Sequence, residues 1–236
     1  MKQSFVYLLL AVTSLSAIVA DEEGIVNPKL THHQDAIMPL SLHDNRIRDP
    51  KAKVRLKISE TGNVSDVICV DASDYRIAEI AEGLARNYIF RPATQNGKSI
   101  AVTNDVIINF SYDSSYNTSK DGFNHMVDFI GQSTSKEFKL HLVNPNELDA
   151  PLEIVESAKP MLIKNEDGEV ELGQALIEGY VTADGDFRFL SVKKADSPYI
   201  AEAALENFKQ LRFSPPRKED RRVVCRIHIP FVASNQ

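Results

Sequence analysis

One pattern occurs twice in this chain, and the repetition limits the folds open to it. Phe90 to Lys98 read FRPATQNGK, and Phe213 to Arg221 read FSPPRKEDR. Pro92 and Pro215, Phe90 and Phe213, and Gly62 and Gly185 are each 123 positions apart. The offset holds without gaps from the ETGNV turn (Glu60 to Val64) to the prolines, then falls to 121 between Phe110 and Phe231. A length change confined to a loop is what two copies of one fold show, because loops absorb deletions that packed elements do not.

Each copy has the same order of elements. Val54, Leu56 and Ile58 alternate with Arg55 and Lys57, the mark of a half-buried strand. TGN turns the chain, with Gly62 suited to positive φ. Val64, Val67 and Cys69 predict a second strand whose irregular spacing suggests a twist or bulge. Ile77, Ile80, Ala81, Leu84 and Tyr88 follow at helical steps. Pro92 is expected to mark the end of that helix, with Phe90 buried in its last turn. Val106, Ile108 and Phe110 then alternate again. The second copy repeats this with Ile177 and Val181, the turn ADGD, and Phe187 and Leu190. Its helix carries Ile200, Ala204, Phe208 and Leu211, and Val223, Cys225, Ile227, Ile229 and Phe231 form its last strand.

The predicted fold class is α+β: two tandem β-β-α-β modules, each a small, mostly antiparallel three-stranded sheet with one helix on one face. The predicted boundaries are 1–20 for a signal peptide, 21–112 for the first module, 113–121 for a linker and 122–236 for the second. The linker assignment rests on the polar SYDSSYNTSKDG (Ser111 to Gly122). FNHMVDFIGQ suggests a short helix and EFKLHLV a strand ahead of the second copy. Each copy carries its own strands, helix and apolar face, which predicts that the modules fold separately.

The first 20 residues read as an export signal: Lys2 is a short positive region, Phe5 to Val19 are apolar, and Ala20 is a small residue before DEE. Cleavage after Ala20 gives a soluble exported protein; an uncleaved segment would be an anchor. A net charge of −6 over 236 residues argues against nucleic acid as a partner. Cys69 and Cys225 fall on faces turned toward different helices, which predicts two buried free thiols rather than a disulfide.

Enzyme signatures are missing from the sequence. His32, His33 and His43 have no cysteine or carboxylate at ligand spacing and are read as solvated, not as metal ligands. NEDGEVE (Asn165 to Glu171) lacks the full calcium-loop pattern and is read as a turn. There is no G-x-S-x-G elbow, no glycine-rich phosphate loop and no cysteine with an evident histidine partner. The expectation is a non-enzyme without cofactor or metal.

VRLKISETGNVSDVICVDAS…IAEIAEGLARNYIFRPATQNGKSIAVTNDVIINF resembles the TonB C-terminal domain family in its ordered set of features. These are an alternating strand, a glycine turn, a second strand, a helix running to an aromatic-x-Pro-Ala, NGK, and a last strand ending in Phe. ALIEGYVTADGDFRFLSVKKADS…IAEAALENFKQLRFSPP…VVCRIHIPF resembles it again, and the two stretches cover about half of the chain. The resemblance implies a periplasmic protein whose partner is a protein or peptide, such as an outer-membrane transporter, taken up beside a sheet edge by strand addition. The edges it implies are the last strand of each copy, Thr103 to Phe110 and Val223 to Phe231. The partner-binding residues it implies are Asp105, Ile107 and Asn109 on the first and Val224, Arg226 and His228 on the second. AIMPL (Ala36 to Leu40) and AKPML (Ala158 to Leu162) faintly echo the family's P-x-Y-P motif. The 11 prolines form no extended spacer. An adaptor or accessory factor is therefore the first expectation, and an energy transducer of outer-membrane transport held by an uncleaved N-terminus the second.

Overall fold

A computed structural model of the chain describes residues 24–40, 42, 47, 49–112, 139–157, 163, 164 and 166–233. The export segment, His43, FNHMVDFIGQ and AKPML lie outside the described residues. Lys51–Ile58 (β1) buries Ala52, Val54, Leu56 and Ile58 and turns the residues between them to the opposite face. It pairs antiparallel with Val64–Ala72 (β2) and Val102–Asn109 (β3). The expected irregularity is present as two register shifts between β1 and β2, at Lys53/Val54 and Lys57/Ile58. In the second half, Gly173–Val181 (β5) pairs antiparallel with Phe187–Ala195 (β6) and Val224–Ala233 (β7). The predicted strand EFKLHLV forms as Leu140–Val143 (β4).

The expectation of two separate three-stranded sheets is corrected by β4. It pairs antiparallel with β2 at Asp71 and Ala72, and parallel with β7 at Val224 and Cys225. All seven strands therefore form one sheet in the order β6-β5-β7-β4-β2-β1-β3. The end residues of β4 enter different cores: Leu140 joins the cluster of the first half and Val143 that of the second. The mixed α+β class stands, with a helix against each half of the sheet.

Ala78–Arg86 (α1) follows a 3-10 turn whose N-cap, the buried Asp74, accepts from the Arg76 backbone and pairs with its guanidinium. The buried stripe is Ile77, Ala81, Ala85 and Tyr88, while Ile80 and Leu84 are half-buried at its rim. Pro198–Phe208 (α2) has Ser197 as N-cap and Pro198 in its first turn, and buries Ile200, Ala203, Ala204 and Phe208. Among the described residues no helix is long and apolar enough to cross a membrane.

The aromatic-x-Pro segments do not sit where the sequence placed them. α1 ends at Arg86, and Phe90 lies beyond it on the short strand Ile89–Arg91, which pairs with Lys29–His32. Phe213 lies on Arg212–Phe213, paired with Ile154–Glu156. The cause is a backbone contact with the glycine turn. The Phe90 N–H donates to the Gly62 carbonyl at 2.8 Å, and the Phe213 N–H donates to the Gly185 carbonyl at 2.8 Å. Each aromatic residue thus fastens the β-turn of its own half to the chain leaving the helix.

The halves are not insulated. Val67, Ile68, Cys69 and Val70 are all buried, since the face of β2 away from α1 is also covered. Tyr180, Phe189 and Val224 belong to the same apolar cluster as Leu56 and Ile77. Arg55 donates to the Tyr180 hydroxyl at 2.6 Å, and the Lys57 ammonium donates to the Leu190 carbonyl. Cys69 and Cys225 are buried free thiols in different clusters.

Candidate functional site: the open edge of the sheet

A strand edge offers unpaired N–H and C=O groups on every second residue, so the site is defined by which residues of β3 face outward. Phe110 donates from its N–H to the Pro50 carbonyl at 2.8 Å, so the even-numbered residues of β3 face β1. Thr103, Asp105, Ile107 and Asn109 therefore turn their backbone groups away from the sheet. Among the described residues no strand covers them. The next residue in this row, Ser111, is already taken. Its N–H donates to the Ala36 carbonyl at 2.9 Å, and its carbonyl accepts from Met38 at 2.8 Å, in a parallel bridge centred on Ile37. Ala36 to Met38 thus add one isolated bridge of extended backbone at one end of this edge. From Thr103 to Asn109 the open stretch runs about 20 Å, at roughly 3.3 Å per residue.

The side chains of this edge are held from behind. Arg55 donates to both carboxylate oxygens of Asp105, at 2.7 and 2.9 Å, and Lys53 lies 3.0 Å from the same group. These bonds, Arg55 first, hold the Asp105 carboxyl below its ordinary value, and the Asp105 carboxylate raises the Arg55 guanidinium in return. Ile107 is 61% exposed, and Asn109 is exposed beside it.

Other free edges are blunted. β6, at the far end of the sheet, pairs with β5 through two register shifts and carries Phe189 at φ 56°, with Lys193 and Lys194 along it. Bulges and lysines are the devices that keep an edge from recruiting a strand. β7 is open on one side only from Arg226 onward, and Pro230 interrupts that stretch with a residue that has no N–H. β3 pairs with β1 over eight residues without a register shift and contains no proline.

The residues expected to bind a partner therefore divide. Asp105, Ile107 and Asn109 share one open edge. Val224 is corrected: it is buried and paired with Leu142, because β4 occupies the place where the sequence implied an edge. Arg226 and His228 lie on β7 beyond β4, and the His228 ring is 3.0 Å from Glu178. β4, β2 and β1 separate β7 from β3, so the two sets do not form one site. Sequence reasoning missed the bridge from Ala36 and Met38 to Ser111; the alternation that ends at Phe110 gives no sign of it.

Elsewhere the chemistry is quiet. Clefts of about 520 and 490 Å³ carry ion pairs such as Lys218 with Glu147 in the first and Arg222 with Asp184 in the second. Among the described residues no group of three His, Cys, Asp or Glu side chains is placed to hold a metal ion. Burial pushes the Cys69 thiol up to about 12 and the Cys225 thiol up to about 11, far from a nucleophile's range.

Fold and edge together define a mixed α+β protein whose sheet ends in an unblunted strand. Residues 47–112 match the family model described as Gram-negative bacterial TonB protein C-terminal. That span contains β1, β2, α1 and β3, hence the whole open edge, and it is a single copy that leaves the second half outside the match. A search of curated proteins found no match to the chain.

Proposed function

We propose that this chain is a TonB-like periplasmic protein that binds a partner peptide as an added strand on β3, acting as an adaptor or accessory factor in the envelope. The observation that carries this reading is the bridge at Ser111: the edge already accepts extended backbone, supplied by Ala36 to Met38, where it ends. The family match over residues 47–112 supports a protein partner, with an outer-membrane transporter as the class that the family suggests. In this reading the second half is a further copy of the same unit. The equivalent bonds of Gly62 with Phe90 and Gly185 with Phe213 support that view.

The test is a seven-residue alternating Thr–Val peptide carrying a photo-cross-linker, with attachment sites mapped by mass spectrometry. Cross-links at Thr103 to Asn109 are expected, with loss of at least ten-fold in Ile107→Pro, which removes an outward N–H and no internal ladder bond. Labelling scattered over the surface and indifferent to that proline would defeat the proposal. Export is tested separately by sequencing the mature N-terminus. Asp21 in the soluble fraction fits the adaptor, whereas Lys2 retained in the membrane fraction fits an anchored energy transducer.

A further inference from the structure

β4 covers only the last two residues of β2, Asp71 and Ala72, so among the described residues the earlier part of β2 has a second edge with no strand paired to it. Val67 and Cys69 lie opposite Leu56 and Val54, even-numbered residues of β1 that turn their backbone groups to β3, so the groups of Val67 and Cys69 turn away from β1. Three of their four groups are nevertheless occupied, each by an acidic or basic side chain. The Val67 N–H donates to Asp66 Oδ1 at 2.9 Å. The Val67 carbonyl accepts from Arg188 Nη2 at 3.2 Å. The Cys69 N–H donates to Glu82 Oε1 at 2.9 Å. Arg188 Nη2 and Glu82 Oε2 then join each other at 2.9 Å, with the Glu82 side chain 12% exposed. Side chains stand in the ladder positions that a strand would fill.

We propose that β2 carries a second strand-docking edge, held closed by Asp66, Glu82 and Arg188, and that these residues confine peptide binding to β3. The ligand class for the closed edge is the same as for the open one, an extended peptide segment. Beside β2 runs the cleft of about 490 Å³ lined by Cys69, Glu82, Arg188, Leu140, Thr182 and Ala183, which gives such a segment its place. The closure is made between halves, since Glu82 comes from α1 and Arg188 from β6. Entry of a strand requires the Arg188–Glu82 pair to leave the edge, and a shift of the second half relative to the first moves Arg188 off it.

Two readouts test this. In Arg188→Ala, native-state hydrogen exchange of the Cys69 amide should speed up at least ten-fold, and the Thr–Val peptide should form new cross-links to Val64 through Val70. Arg188→Gln, which keeps a donor and a similar stem, is the milder variant should Arg188→Ala unfold, with smaller changes in the same direction. Glu82→Gln still accepts from Cys69 but loses the pair with Arg188, and should open the edge partly. Folded variants with unchanged Cys69 exchange and no β2 cross-links would overturn the proposal, as would β2 cross-links in the unaltered protein. Cross-links to β3 in the unaltered protein report on the function proposed above, so either idea can fail alone.

Discussion

Gly62 and Gly185 hold φ angles of 86° and 93°, and a Cβ at either would lie 1.9 Å from the Phe90 carbonyl oxygen or 2.1 Å from that of Phe213. A side chain there costs the left-handed penalty of about 1–2 kcal/mol and also displaces the aromatic strand whose N–H is bonded to the glycine. Gly62→Ala and Gly185→Ala should each destabilise by about 2–4 kcal/mol in denaturant melts, combining that penalty with a lost hydrogen bond of ~1 kcal/mol and local strain. Near-neutral results would show that the turns are not fastened to the aromatic strands. Gly83 is the counterexample: it lies within α1, and an added Cβ meets nothing within 4 Å. Gly83→Ala should stabilise by about 0.5–1 kcal/mol, the helical preference for Ala over Gly. The thiols give a third expectation. Both are raised by burial, so the folded state keeps its advantage below the unfolded cysteine value and loses it as pH climbs toward the folded values of about 12 and 11. Alkylation at pH 8 should leave native protein unlabelled and label two cysteines after unfolding without reductant.

At the scale of elements, α1 shows what periodicity resolves and what it does not. Steps of three and four from Ile77 identify a helix, but the packing decides which members of the stripe face the centre. α1 is nine residues long and stops at Arg86, so Tyr88 is buried from the loop after it. Ile77→Ala should cost about 2–5 kcal/mol, the range for a buried Ile. Leu84→Ala, at the rim, should cost less than about 2 kcal/mol, and chemical melts compare them directly. β1 was legible because eight alternating residues give a clear period of two, and β3 through the shorter alternation of Val106, Ile108 and Phe110. Asp105, Ile107 and Asn109 were chosen because the family resemblance implied that the last strand is an edge; periodicity alone names no edge. β4 is four residues long, too short to reveal which strands it joins. The run VICV in β2 is the pattern of a strand buried on both faces, but a short apolar run fits a buried helix segment equally and does not name what covers it.

Across the whole molecule the repeat was readable and the joint between its copies was not. Contacts such as Arg55 with Tyr180 and Arg188 with Val67 link residues more than 100 positions apart and leave no local trace. They bear on whether the copies fold alone. Residues 122–236 expressed by themselves would expose Tyr180, Phe189 and Val224, which the first half covers. That fragment should melt at a markedly lower temperature than the full chain, and the full chain should unfold in one transition. Equal melting points would show that the shared cluster contributes little. Acid should act inside the first half, at the carboxylate that holds Arg55. The Asp105 carboxyl is depressed by its bonds from Arg55, so its contribution is present above the unfolded value of about 3.9 and is lost as pH falls through the lower folded value. Asp105→Asn should therefore flatten the loss of stability below about pH 4 in melts run as a pH series.

The two-residue pairings of β4 have a mechanical meaning. β1 and β3 share a register of eight pairs and β5 and β7 one of nine, whereas the backbone ladder between the halves is two pairs on each side of one short strand. Tension applied between the first half and the second concentrates at β4, and backbone bonds in so short a register give way before the long ladders slide. Stretched between Ile25 and Val232, the molecule should part first into two intact halves at low force and rupture within each half only at higher force. The weakest seam in the sheet is also the one that carries Arg188 away from Val67, so a pull on this protein uncovers backbone before it unfolds any.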